Sequence, residues 1–318
     1  MAQLRRSEFL ALVGAGLALP ARAQGDYPTR PIELVVPVAP GGGTDVMARS
    51  FAEAARPHAP QPFVVVNRPG ASGAIGMQEV LNSRPDGYRV SVVIAELAIL
   101  PFLGQIRFSA DDFRMVARLN ADPACIAVRS DAPWQNLEDF LAAARRQAEA
   151  IRVGNSGVGS IWHLAAAAMA ARADVRFLDV PFPGSAPALL ALLGNQLDAV
   201  CTSPGEASAH VQGGRMRVLG VMAESRQPGF DAVPTMRERG LDVSIGTWRG
   251  LGLRRDTPAP VVERLTAIAR RAGEDAAFRE ALSRAGLGHA LADGPAFEAA
   301  ITRDRQLFGE LVQRLRLG

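Results

Sequence analysis

Apolar and polar positions fall in blocks along most of the chain, and the length and period of each block separate strands from helices. Residues 32–38 (IELVVPV) are a short apolar run with a β-branched centre, which predicts a buried strand. The period then changes. Over residues 44–56, Val46, Met47, Phe51 and Ala54 fall on or near one face of a helix, and Pro57 ends it. Residues 63–66 read as a second strand, closed by Asn67-Arg68-Pro69-Gly70. Residues 72–81 have helical spacing with Ser72 placed to cap them, and Pro85-Asp86-Gly87 turns the chain into a strand over 88–95. The alternation returns further on, with strands at 125–128, 151–154, 176–180, 197–202 and 216–222. Helices are predicted at 137–148, announced by Asn136, and at 160–171 and 185–193. After a strand-like stretch at 243–253, the chain from Ala259 onward is mostly amphipathic helix.

This alternation predicts an α/β fold with largely parallel sheets. Two such units, joined by strand-like crossings near Cys125 and Trp248, predict two lobes. The first would be discontinuous, residues 24–122 plus 248–318, and the second would be residues 123–247. Ligands of open α/β sheets bind beyond the carboxyl ends of the strands, which places a site in the cleft between the lobes.

Three strand-to-helix junctions in that arrangement carry glycine or serine. The first is Pro40-Gly41-Gly42-Gly43-Thr44-Asp45. Its glycines allow close backbone approach, and the first N–H groups of the helix that follows lack intrahelical partners. With the helix dipole they form a seat for a carboxylate or phosphate. The same stretch also reads as a plain turn, with Asp45 merely favouring the helix end. The second junction runs from Gly154 through Asn155, Gly157, Gly159, Ser160 and Trp162 to His163, and the third is Pro181-Phe182-Pro183-Gly184-Ser185-Ala186-Pro187. Neither the Walker pattern nor the dinucleotide pattern is present.

Composition adds the compartment. Arg5 and Arg6, an apolar run over residues 9–19, Pro20 and Ala21-Arg22-Ala23 form a signal peptide, with cleavage expected after Ala23 and export to the periplasm by the general secretory route. No later apolar run reaches membrane-spanning length, so no stable membrane insertion is expected. The formal charge of +3 drops to +1 once the signal peptide's three arginines and one glutamate are gone, and the remaining arginines are scattered, so nucleic acid is not an expected partner. Cys125 and Cys201 sit in strand-like runs, where a buried thiol and a disulfide are both open readings. Catalytic patterns fail: no serine satisfies G-x-S-x-G, and His58, His163, His210 and His289 have no metal spacing. No enzyme activity, cofactor or metal is expected.

The stretches YPTRPIELVVPVAPGGGTD, VVVNRPGASGAIG, RPDGYRV, GNSGVGSIWHLA, VPFPGSAPALLALLGNQLDA, VPTMRERGLD and TWRGLGLRRDTPAPVV occur in this order. In them the chain resembles the extracytoplasmic solute receptors of tripartite tricarboxylate transporters, the Bug receptors. The resemblance implies a two-lobed periplasmic-binding-protein type II fold that holds a small carboxylate in the interlobe cleft and delivers it to membrane permease subunits, with the receptor itself a monomer. It implies ligand-facing roles for Gly41, Gly42, Gly43, Thr44, Asp45, Ser72, Gly73, Asn155, Gly157, Gly159, Ser160, His163, Gly184 and Ser185, with Asp45 ordering its loop. Trp248, Arg249 and Gly250 match the crossing strand. The chain departs from the family at Ala95-Glu96-Leu97, at Pro183, at Ser203-Pro204-Gly205-Glu206 and at Trp162. Glu96 and Glu206 are then either solvated rim residues or cleft residues that favour a ligand bearing an amine. Two rivals stand beside this reading: a sensor reporting to a signalling partner, and an exported α/β enzyme acting on an acidic substrate.

Overall fold

The computed structural model describes residues 27–316, so the expected signal peptide and cleavage site lie outside the described residues. Among the described residues, ten strands form two sheets that share one long strand. In the first sheet, β1 (Ile32–Val36) lies between β2 (Phe63–Asn67) and β3 (Arg89–Ile94), parallel to both. β1 and β3 are filled with Leu34, Val35, Val92 and Val93, buried on both faces as interior parallel strands require, while β2 at the sheet edge is partly exposed. Next come β9 (Gly246–Arg254), antiparallel to β3, and β4 (Phe113–Arg129), antiparallel to β9. The short β10 (His289–Asp293) closes the far side of β4.

β4 carries the chain out of this sheet. Residues 113–123 pair with β9, and Cys125–Ala127 pair with β7 (Ala199–Thr202) of the second sheet. There β5 (Arg152–Asn155) runs parallel to β7 and to β6 (Leu178–Pro181), while β8 (Met216–Met222) pairs antiparallel with β4. The chain returns through residues 244–246, where Ile245 bonds to both Met222 and Ala124. This is the expected α/β, two-lobed architecture, with mixed sheets.

The helices follow their strands. α1 (Gly43–Ala54) and α2 (Ala74–Leu81) flank the first sheet, and α3 (Leu137–Arg146), α4 (Ile161–Ala173) and α5 (Ser185–Leu193) the second. α6 (Pro204–Gln212) follows β7. α7 (Ala259–Glu274), α8 (Ala276–Arg284) and the 22-residue α9 (Gly294–Leu315) close the chain. α9 packs on β4 and also on α4, so one helix touches both lobes.

Four sequence expectations change. The strand expected at 125–128 is the end of a 17-residue strand. α6 was not foreseen, although Ser203-Pro204-Gly205-Glu206 is a capping box with proline at its first turn. The C-terminal region is interrupted by β10. Ser72 does not cap a helix: Ala71, Ser72 and Gly73 all take positive φ, so the chain makes a left-handed turn before α2 begins at Ala74. Both cysteines are buried free thiols.

Candidate functional site

Three helix N-termini meet where the two sheets face each other, around a void of about 20 Å³. That is room for about one water molecule. Its lining comes from both lobes: Gly42, Thr44, Glu96, Thr247 and Arg249 on the first-sheet side, and Ser156, Trp162, Gly184, Ser185 and Glu206 on the second. Larger hollows, such as one of about 380 Å³ beside α4 and α9, are open to solvent and have no such convergence of helix ends.

At the first N-terminus, Gly41 has φ +86° and its N–H donates to Asp45 Oδ2 at 3.0 Å. Asp45 also accepts from Arg49 (2.9 Å) and Asn67 (2.9 Å), so it orders the loop and does not line the void. Burial would raise its carboxyl, but these donors outweigh burial and hold it below the usual range. The next free amide, Gly43 N–H, donates across the cleft to Glu206 Oε1 at 3.0 Å. A Cβ at Gly43 would stand 2.9 Å from both Arg249 and Glu206, so glycine is required there for close approach.

Glu206 belongs to a buried charge cluster. Arg249, 2% exposed, donates to Glu206 Oε1 (3.1 Å), Asp122 Oδ2 (2.6 Å), Asn120 Oδ1 and Thr44 Oγ1 (2.9 Å). Glu206 Oε2 accepts from Thr202 Oγ1 at 2.6 Å. Ser203 and Glu206 cap α6 reciprocally, so Ser203 serves the helix and not the void. Asn120 and Asp122, unforeseen from sequence, reach Arg249 because β4 and β9 pair Asn120 with Arg249 and Asp122 with Thr247.

The second N-terminus repeats the arrangement with the lobes exchanged. Glu96, just after β3, is 5% exposed and accepts the Ile161 N–H of α4 at 3.0 Å. Burial pushes its carboxyl up to about 7. The two glutamates are therefore not rim residues. Each is buried and seated on a helix end of the opposite lobe. The third N-terminus, α5, starts after Gly184 (φ +148°) and has no side-chain cap. Ser185 lies at its start, and its hydroxyl oxygen accepts Trp162 Nε1–H at 3.0 Å, leaving the hydroxyl proton to donate elsewhere.

Several expected residues support the site without lining it. Asn155 bonds Asp179 and the Gly157 amide (2.8 Å), holding the loop, and Ser156 takes its place on the void. Ser160 caps α4 by accepting the His163 N–H at 3.2 Å. Gly159 has φ +76° and donates to His163 Nδ1 at 3.1 Å. The other ring nitrogen of His163 faces Asp179 at 3.7 Å, so this ring is turned away from the void. Ser72 donates across the cleft to the Val158 carbonyl at 2.6 Å, beside Gly157, and Gly73 packs on Ile94 and Pro37. Trp248 packs edge-on against Phe297 and donates to Asp304 at 2.8 Å, on the far side of its strand.

The chain is similar to solute-binding proteins of known structure. The chain is 33% identical over 285 residues to a protein encoded between tcbD and tcbE in Pseudomonas sp. strain P51, covering 87% of this chain and 85% of the relative. A ligand-free TctC solute-binding protein from Polaromonas is 47% identical, with a TM-score of 0.68 over 91% of this chain and all of that one. The periplasmic binding protein BugD is 30% identical, with a TM-score of 0.87 over 92% and 99%. MatC from Rhodopseudomonas palustris, with bound malate, is 28% identical, with a TM-score of 0.83 over 90% and 100%. The model of the tripartite tricarboxylate transporter family receptors matches residues 47–317, from inside α1 to the end of α9, and the chain belongs to that family.

Proposed function

We propose that this protein is an exported periplasmic receptor that captures a small carboxylate-bearing solute between its lobes and delivers it to the membrane permease subunits of a tripartite tricarboxylate transporter. It binds without chemistry. One observation carries the reading: carboxylates already occupy two of the three converging helix N-termini, and both are the protein's own, each from the opposite lobe. These amide N–H groups donate to a carboxylate there, and a solute's carboxylate competes for the same seats once the lobes part. The α5 end, with the Ser185 hydroxyl, is a third seat. The closed arrangement supports the same reading, because it matches malate-bound MatC better (0.83) than the ligand-free Polaromonas protein (0.68), which is more similar in sequence. Among the described residues no helix is long and apolar enough to cross a membrane, so the permease is a separate partner in this reading.

A thermal-shift screen of small organic acids and amino acids, each beside its amide or methyl ester, tests this. A binder at about one hundred times its Kd adds about 2.7 kcal/mol of stability. The expected result is stabilisation by at least one acid and by none of its neutral derivatives. Stabilisation by neutral derivatives alone, or by nothing in the panel, would sink the proposal.

A further inference from the structure

The two glutamates at the cleft are not equivalent. Both oxygens of Glu206 are engaged, and Arg249 neutralises its charge. Glu96 has no cation of its own. One of its oxygens accepts the Ile161 N–H, and the other takes no bond from another residue among the described residues. It lines the void, buried, beside Trp162 and Ser185. Arg249 is the nearest cation acting on it, and Arg249 already serves Asp122 and Glu206. Carboxylates are seldom buried without a partner, and the lining of this void carries one carboxylate more than it carries cations.

We infer that Glu96 selects solutes that carry an ammonium group together with their carboxylate. This rests on the receptor reading above and narrows its substrate class. The Glu96–Ile161 contact spans the cleft, with a carboxyl on the first lobe, which a cation beside it holds ionised, and a helix N-terminus on the second. A zwitterion inserts into that contact with its charges matched at both ends. Its ammonium replaces the Ile161 amide as the partner of Glu96. Its carboxylate takes the freed N–H groups at the start of α4 and the Ser185 hydroxyl. A plain dicarboxylate of the same length brings its second carboxylate against Glu96, where like charges repel without water to screen them.

The test is calorimetric titration of the full mature protein with amino acids paired to their deaminated counterparts, such as aspartate with succinate and alanine with propionate across a panel of twenty pairs. It uses the parent, Glu96→Gln and, as a control outside the site, Glu263→Gln on α7. The amide of Glu96→Gln still accepts the Ile161 N–H, and a melting curve confirms its fold. The readout is the affinity ratio within a pair, which a general loss of packing does not move. The parent is expected to prefer the amino member of its best pair at least tenfold. Glu96→Gln should erase that preference, and Glu263→Gln, an exposed change on α7, should keep it. Tighter binding of plain acids by the parent, or a ratio unchanged in Glu96→Gln, overturns the inference and leaves the receptor reading standing. Failure of both sets to bind overturns the two together.

Discussion

At the residue scale, Glu96 and Arg249 carry the unusual chemistry. Burial lifts the Glu96 carboxyl from its ordinary value of 4.5 to about 7, so the folded protein holds a proton that the unfolded chain has lost. Stability drawn from this group is complete below about pH 4.5, declines as pH rises, and is gone above about pH 7. Its size is at most about 3 kcal/mol. Glu96→Gln has no such titration. Denaturant midpoints measured from pH 4.5 to 7.5 should therefore show the variant gaining on the parent as pH rises. Parallel profiles would mean that Glu96 is solvated and ionised as an ordinary glutamate. Asp45 and Asp198, whose carboxyls are held low, titrate below this window. Nothing in the residues around Ala95-Glu96-Leu97 announces the burial. A glutamate after a strand reads equally well as rim or cleft, and the helix end from the other lobe settles it.

At the element scale, the junctions were the most legible part of the molecule. Glycine-rich turns between a strand and a helix were readable at residues 41–45, 154–160 and 183–185, because few other sequences permit those backbone angles and approaches. The sequence did not distinguish one glycine from another. At Gly42 an added Cβ would meet Ala186 and Glu206 at 3.9 Å, an ordinary contact distance, while Gly43 is pressed against Arg249 and Glu206 at 2.9 Å. Those side chains are pinned by other bonds, so neither yields easily. Gly43→Ala is expected to cost about 1–3 kcal/mol through this overpacking, and Gly42→Ala to leave the denaturation midpoint nearly unchanged. Equal midpoints for the two variants would remove the cross-cleft contact at Gly43 from the account. β4 was the least legible element. Polar Arg118, Asn120 and Asp122 alternate with Leu119 and Ala121 along it, but the strand continues through Pro123, which punctuates most strands. It tolerates the proline where one sheet hands the strand to the next. What Asn120 and Asp122 do depends on pairing with β9 more than a hundred residues away, a register that local pattern does not encode.

At the scale of the whole molecule, the α/β class and the two-lobed plan followed from repeated strand–helix alternation, and the family from the order of its motifs. The internal clasp did not. Gly43–Glu206, Ile161–Glu96 and Ser72–Val158 each join the two lobes, and together they close the cleft to a void of about 20 Å³. Several of these partners are far apart in sequence and meet only in the closed arrangement. In the proposed capture, a solute larger than water parts them, binds, and is held by the lobes closing again about β4 and the return at residues 244–246. The most direct measurement is small-angle X-ray scattering of the mature protein, alone and saturated with the tightest binder of the acid and amino acid screen. Because the clasp already closes the unbound parent, the account predicts little change in its radius of gyration on binding, and a cross-lobe Glu206→Gln variant that is more expanded than the parent alone and contracts to the parent's radius when the solute is bound. A variant whose unbound radius equals the parent's and does not fall at saturation would contradict capture by closure of the two lobes.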